Sequence, residues 1–261
     1  MTTKKKAKAP AADAPPDPRE PLAPTAENLQ KTLAALKAVL ADLPPPAPVA
    51  SEQAGAAPET ASGTVSSLDL VDAMMHFYFA DGLACGYGQE ARRRIAEGFV
   101  DRNEFRVTEA FEVEDLLRDL PIPNLFDRCL AVRDSVAQIY NDQNGVNLGF
   151  LREAGISDRN TFFQRVPAVQ PQVATFLTNL LTLEELCFSE KSTLRAQQRL
   201  GLEAKDAAVG KFLDEIRALL KPYGCLPLDV GPNLAGRKVN LKHSLSPACL
   251  LARLAPAGKR R

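Results

Sequence analysis

The tightest constraint on this chain lies between Ser157 and Leu202, in SDRNTFFQRVPAVQPQVATFLTNLLTLEELCFSEKSTLRAQQRLGL. Ser157 is placed to cap a short helix whose Phe162, Phe163 and Val166 recur at helical spacing. Val166-Pro167-Ala168-Val169-Gln170 ends that helix, because the residue before a proline is pushed out of the helical region and proline brings no N–H. Pro171 then stands where the first turn of a new helix needs no donor. Val173, Phe176, Leu177, Leu180 and Leu181 follow at spacings of three and four, so the second helix buries one face. The stretch predicts two helices joined by a tight turn, a helix-hairpin-helix.

The rest of the 261 residues is unevenly composed. Residues 1–24 are a Pro/Ala/Lys-rich arm that cannot bury enough apolar surface to order itself. Eleven of the 20 prolines fall before residue 65, which confines the globular portion to about residues 65–228. No apolar run reaches membrane-spanning length, and the lysines after Met1 lead into Pro and Ala, so a soluble cytoplasmic protein without a membrane partner is expected. Cys85, Cys129, Cys187, Cys225 and Cys249 are scattered and contain no CxxC, which indicates neither a disulfide framework nor a zinc site; reduced thiols are the default and no metal is implied. Formal net charge is zero, yet residues 229–261 read as a basic tail: from Asn233 onward Arg237, Lys238, Lys242, Arg253, Lys259, Arg260 and Arg261 meet no acidic residue after Asp229. Such an arm neutralises phosphate in one reading and is a solvated tail in the other.

Between these ends the periodicity is helical. Leu29, Leu33, Leu36, Leu40 and Leu43 form one stripe within residues 25–43, an amphipathic helix that docks on its own domain or, in the alternative, pairs with a second helix. Residues 44–64 are a small-residue linker opened by three prolines. Ser66 or Ser67 caps LDLVDAMMHFYFADGLACGY, with Leu68, Val71, Met74, Met75, Tyr78 and Phe79 inward and His76 a packed core residue rather than a base. Gln89–Val100 reads as a surface helix whose Arg92, Arg93 and Arg94 point to different sides. Thr108–Leu120 reads as a helix, and so does the stretch after Asn124 with Leu125, Phe126, Cys129, Leu130, Val132, Val136, Ile139 and Tyr140 on its inner side. A helix over Val209–Leu220 closes the series. No stretch alternates with period two, so the fold class is all-α.

VPAVQPQVA, from Val166 to Ala174, resembles LPGVG(P/R)KTA, the hairpin of the endonuclease III-type superfamily of DNA glycosylases. EKSTLRAQQRLGL resembles that superfamily's DTHVxRVxxRLGL, with Arg195, Arg199, Leu200, Gly201 and Leu202 matching. Gln172 and Glu190 stand where the family has its catalytic Lys and Asp, 18 residues apart as in the family. The resemblance implies a glycosylase-like helical domain that meets double-stranded DNA through Val166, Ala168, Val169, Gln170, Gln172, Val173 and Arg195, with backbone N–H groups at 168 and 170 facing a phosphate. It also places the catalytic positions at Glu190 and Gln172.

Gln172 carries an amide, neither basic nor nucleophilic, which excludes Schiff-base lyase chemistry. Glu190 keeps a carboxylate, so a monofunctional N-glycosylase is the most this chain offers; the same side chain also suits a helix N-terminus. The family's intercalating Gln has no counterpart in His76–Asp81, and only Cys225-Leu226-Pro227-Leu228 echoes the cluster motif, so no iron–sulfur cofactor is implied. The expectation is a DNA-binding protein of base-excision-repair type with lyase chemistry lost. The alternative is a pseudo-enzyme that scaffolds proteins through its N-terminal leucine stripe.

Overall fold

The computed structural model describes residues 23–43, 69–188, 196–198, 202, 206–224, 226–228 and 246–254. Among them the elements are helices: α1 (Ala26–Asp42), α2 (Leu70–Ala80), α3 (Cys85–Gly98), α4 (Arg102–Val107), α5 (Ala110–Leu117), α6 (Leu125–Gln143), α7 (Ile156–Phe163), α8 (Pro171–Phe188), α9 (Ala207–Leu220) and α10 (Pro247–Ala252). Short 3-10 turns lie at Gly149–Arg152 and Lys221–Tyr223. The all-α expectation holds for these residues, and none of their helices is long and apolar enough to cross a membrane.

At the centre lies α2. Every residue from Leu70 to Ala80 except Asp72 is buried, as its apolar run on all sides requires. It packs on α3, α6 and α8. Asp69 caps it, its carboxylate accepting from the N–H groups of Val71 and Asp72; the Ser66 and Ser67 expected for this role lie outside the described residues, as does Leu68. The helix does not run on to Tyr87 as its apolar pattern suggested. Gly82, at φ +74°, turns the backbone through a conformation that other side chains rarely adopt, and α3 starts afresh at Cys85.

Helix α3 is therefore not a plain surface helix. Gly86, Gly88, Gln89, Glu90, Ala91 and Ile95 are buried along one side. A Cβ added at Gly88 would lie 2.1 Å from the carbonyl oxygen of His76 and 2.8 Å from Cβ of Ala80, so the two backbones meet where only glycine fits. The three arginines are spent within the fold: Arg92 on Asp72 at 3.1 Å, Arg93 on Glu90 and Glu97, Arg94 on Glu90 and Asp119.

Thr25 caps α1, and Leu29, Leu33, Leu36, Leu40 and Leu43 are all buried where the helix packs on α9 and α10. The stripe thus docks on its own domain, which removes both the two-helix coiled coil and the scaffold surface built on it. Lys37 pairs with Glu215 of α9 at 2.7 Å across the seam.

Four further expectations need correction. The helix foreseen over Thr108–Leu120 is α5 alone, shorter at both ends, preceded by the separate α4 that Asp101 caps. Phe126 is 45% exposed, because the left-handed Asn124 starts α6 in a register that turns the inner face onto Cys129, Val132, Val136 and Ile139. Within the region read as a basic tail, α10 is a wholly buried helix, and Asn179 of α8 donates its amide to the carbonyl of Ala252 at 2.9 Å. Arg253 is buried with it rather than free in a solvated arm.

The glycine contact is open to direct test. Gly88→Ala is expected to cost at least ~3 kcal/mol of unfolding free energy, through overpacking against main chain that cannot swing aside. Gly210→Ala, in α9 where an added Cβ meets nothing within 4 Å, is expected to stabilise by ~1 kcal/mol. Urea denaturation of the two variants reads both signs.

Candidate nucleic-acid interface

Helices α7 and α8 lie in the order that the sequence describes, with a short turn between Phe163 and Pro171. Gly155, not Ser157, precedes the first turn of α7; Ser157 lies inside it, with its carbonyl accepting the Thr161 hydroxyl at 2.9 Å. Phe162, Phe163 and Val166 are buried. The chain leaves α7 through bonds from the N–H of Val166 to the carbonyl of Phe163 at 3.3 Å and of Val169 to Val166 at 2.9 Å. Pro171 is the first residue of the 18-residue α8, and Val173, Leu177, Leu180 and Leu181 bury its inner face. Phe176 is half-buried and stacks on Phe77 of α2, ring centres 5.0 Å apart.

Two arginines tie α7 and α8 each to the 3-10 turn at Gly149–Arg152. Arg152 grips Glu184 of α8 through two bonds of 3.0 Å, the bidentate geometry that guanidinium and carboxylate share. The buried Arg159 of α7 donates to the carbonyls of Leu151 at 2.6 Å and Arg152 at 3.0 Å, tying the helix to the 3-10 turn before it.

The residues assigned to DNA contact divide into two sets. Val166, Ala168, Val169 and Val173 are buried, so their side chains are core. The N–H of Ala168, expected to face a phosphate, instead donates to the Ser135 hydroxyl of α6 at 2.7 Å, and that hydroxyl donates onward to the Ala131 carbonyl at 2.6 Å. The turn is hydrogen-bonded inward at that position. Gln170 and Gln172 face solvent at the N-terminal end of α8, together with Pro167 and Pro171. Arg165, earlier in the same turn, is 55% exposed and pairs with Asp142 at 3.3 Å. The first turn of α8 holds no acidic residue, so nothing there opposes the partial positive charge of the helix end. Glu190 and Arg195 lie outside the described residues, and so do Arg199 and Gly201 of the RLGL segment and Cys225.

A second cluster was not legible in the sequence. Cys85, the first residue of α3, and Cys249 of α10 form a disulfide across 164 positions, which overturns reduced thiols for these two. No spacing pattern announces a pair so far apart. Cys129 and Cys187 are free, and burial pushes both thiols up to about 12, leaving them protonated at neutral pH. His76 is packed as expected. Its imidazole is fully buried, with Nε2 3.2 Å from Sγ of Cys249 and Nδ1 without a hydrogen-bond partner. Loss of hydration, and then the charge of Arg92, lower its pKa to about 3.

No protein-family model matches this chain, and no curated protein matches it either.

Removing the Ser135 hydroxyl leaves the Ala168 N–H buried without an acceptor. Ser135→Ala is expected to destabilise by ~1–3 kcal/mol, read as a lower urea midpoint at unchanged m. The imidazole adds an acid-side effect. Because His76 is held neutral in the fold, the unfolded chain binds one more proton below pH 6.5, so stability is full above that pH and falls as pH drops towards 3. The slope due to this group is ~1.4 kcal/mol per pH unit, and His76→Leu is expected to flatten the acid limb of a stability–pH curve by that amount.

Proposed function

We propose that this protein is a non-catalytic binder of double-stranded DNA that meets the phosphate backbone at the tip of its α7–α8 hairpin. The observation that carries the reading is the exposed end of α8: an 18-residue helix that begins at the turn, has no acid in its first turn and exposes Gln172, with Gln170 and Arg165 exposed in the turn before it. Amide side chains and a guanidinium donate to phosphate oxygens, and the helix end adds its partial positive charge. The inward bond of Ala168 leaves fewer backbone donors than the resembling family's hairpin presents, so contact is made chiefly by these side chains.

Chemistry on the sugar is absent from this proposal. The nitrogen lone pair of the Gln172 amide is delocalised into its carbonyl and does not attack an anomeric carbon. What remains is positioning without cleavage, the behaviour of a reader of duplex or abasic DNA. The basic residues at the C-terminal end of the chain, such as Lys259, Arg260 and Arg261, add phosphate neutralisation.

Fluorescence anisotropy with intact and abasic duplexes tests this at graded salt. Binding is expected at low salt in the micromolar range typical of backbone contact, weakening steeply as salt rises. Gln172→Glu is expected to weaken it about fivefold, by placing a carboxylate at the phosphate and at ~1 kcal/mol of charge effect. Neither strand cleavage nor a borohydride-trapped adduct is expected on the abasic duplex. No binding at low salt sinks the proposal, and base release abolished by Glu190→Gln sinks its non-catalytic part.

A further inference from the structure

Outside the hairpin, the corner where α2, α3 and α10 meet gathers His76, Cys85 and Cys249, whose ligand atoms all lie within 4.8 Å of one another. Three different helices deliver them: His76 from the buried centre of α2, Cys85 from the start of α3, Cys249 from α10. The close approach at Gly88 brings the first turn of α3 down onto His76. In a zinc tetrahedron with Zn–N of about 2.0 Å and Zn–S of about 2.3 Å, the nitrogen–sulfur edge is about 3.5 Å. Nε2 of His76 already stands 3.2 Å from Sγ of Cys249.

The imidazole is an anomaly as a packing residue. Buried polar groups in a folded chain are ordinarily hydrogen-bonded, with oxygen or nitrogen as the usual partner. Here the fully buried ring has a sulfur at Nε2 and nothing at Nδ1. A neutral imidazole beside two thiols is, by contrast, a donor set that soft divalent cations select. Two thiolates cancel the charge of such a cation, so the assembled centre is neutral and compatible with a buried corner. Cys85 is the half-buried member, so a cation would reach the three ligands from its side.

We propose that in its dithiol form this protein binds one zinc-class divalent cation through Nε2 of His76 and the thiolates of Cys85 and Cys249. The disulfide and the metal-bound state then exclude each other. Oxidation by a low-molecular-weight disulfide such as glutathione disulfide takes two electrons from the two thiolates and forms the Cys85–Cys249 bond. The oxidant takes up those electrons with two solvent protons and leaves as two thiols, and the cation passes to solvent.

The test uses the full chain, reduced with a phosphine, freed of reductant and titrated with Co(II) under exclusion of air. One equivalent is expected to bind, with sulfur-to-cobalt charge-transfer absorption and tetrahedral ligand-field bands that Zn(II) bleaches. The oxidised protein is expected to show none of this. Cys85→Ser and Cys249→Ser are each expected to weaken binding at least ~100-fold, and Cys187→Ser to leave it unchanged. Because a serine variant at the corner risks unfolding, mass spectrometry of alkylation in the reduced, unmutated protein gives a second readout. Zn(II) is expected to slow alkylation of Cys85 and Cys249 at least tenfold and to leave Cys187 unaffected. A missing charge-transfer band, a band that survives in a folded Cys85→Ser protein, or equal alkylation with and without Zn(II) overturns the proposal and leaves a disulfide beside a packed histidine.

Discussion

The close approach of α3 to the carbonyl of His76 is the contact on which the rest of the described structure depends. Gly88 permits it, and a methyl group there would lie 2.1 Å from that oxygen. With α3 seated, Arg92 reaches Asp72, and Arg102 reaches both Asp69 and Asp72 at 2.7 Å, so the start of α2 is tied to α3 and α4. Cys85 comes to lie over His76, and α10 closes the same corner from the other side through Cys249. Packing at this density leaves α2 no exposed face, which is why its sequence carries no amphipathic signal.

The turn between α7 and α8 shows how a local pattern is held by distant residues. It is held from behind by Ser135 and from the side by Arg152 and Arg159. What it offers to solvent is the end of α8 with two glutamines. A cavity of about 290 Å³ lies between α1 and α9 beside Lys37, Lys211 and Glu215.

Helices with one apolar face were legible in the amino-acid order. The stripe of α1, the inner face of α8 and the helix α9 are found where period 3.6 places them, because each has a polar side that fixes the phase. Where that phase is missing, the amino-acid order is silent. The all-apolar run of α2 gave no sign of its end, and only a positive φ at Gly82 separates it from α3. Hydrophobicity alone turns Phe126 inward, yet the residue is well exposed at the start of α6. PACLLA, too short to show a period, became a buried helix inside a region whose charges suggested a tail.

At the candidate site the division is similar. The order of residues alone determined that two helices meet at a proline-bounded turn, that an amide replaces any amine at position 172, and that Lys and Arg dominate the C-terminal end. Only the tertiary structure decided which atoms of the turn are spent: Ala168 donates to a serine 33 positions away, a partner no local rule can supply. It alone brought Cys85, Cys249 and His76 into one corner, since a meeting of three helices depends on how closely backbones approach, and that distance is set by packing rather than by spacing along the chain.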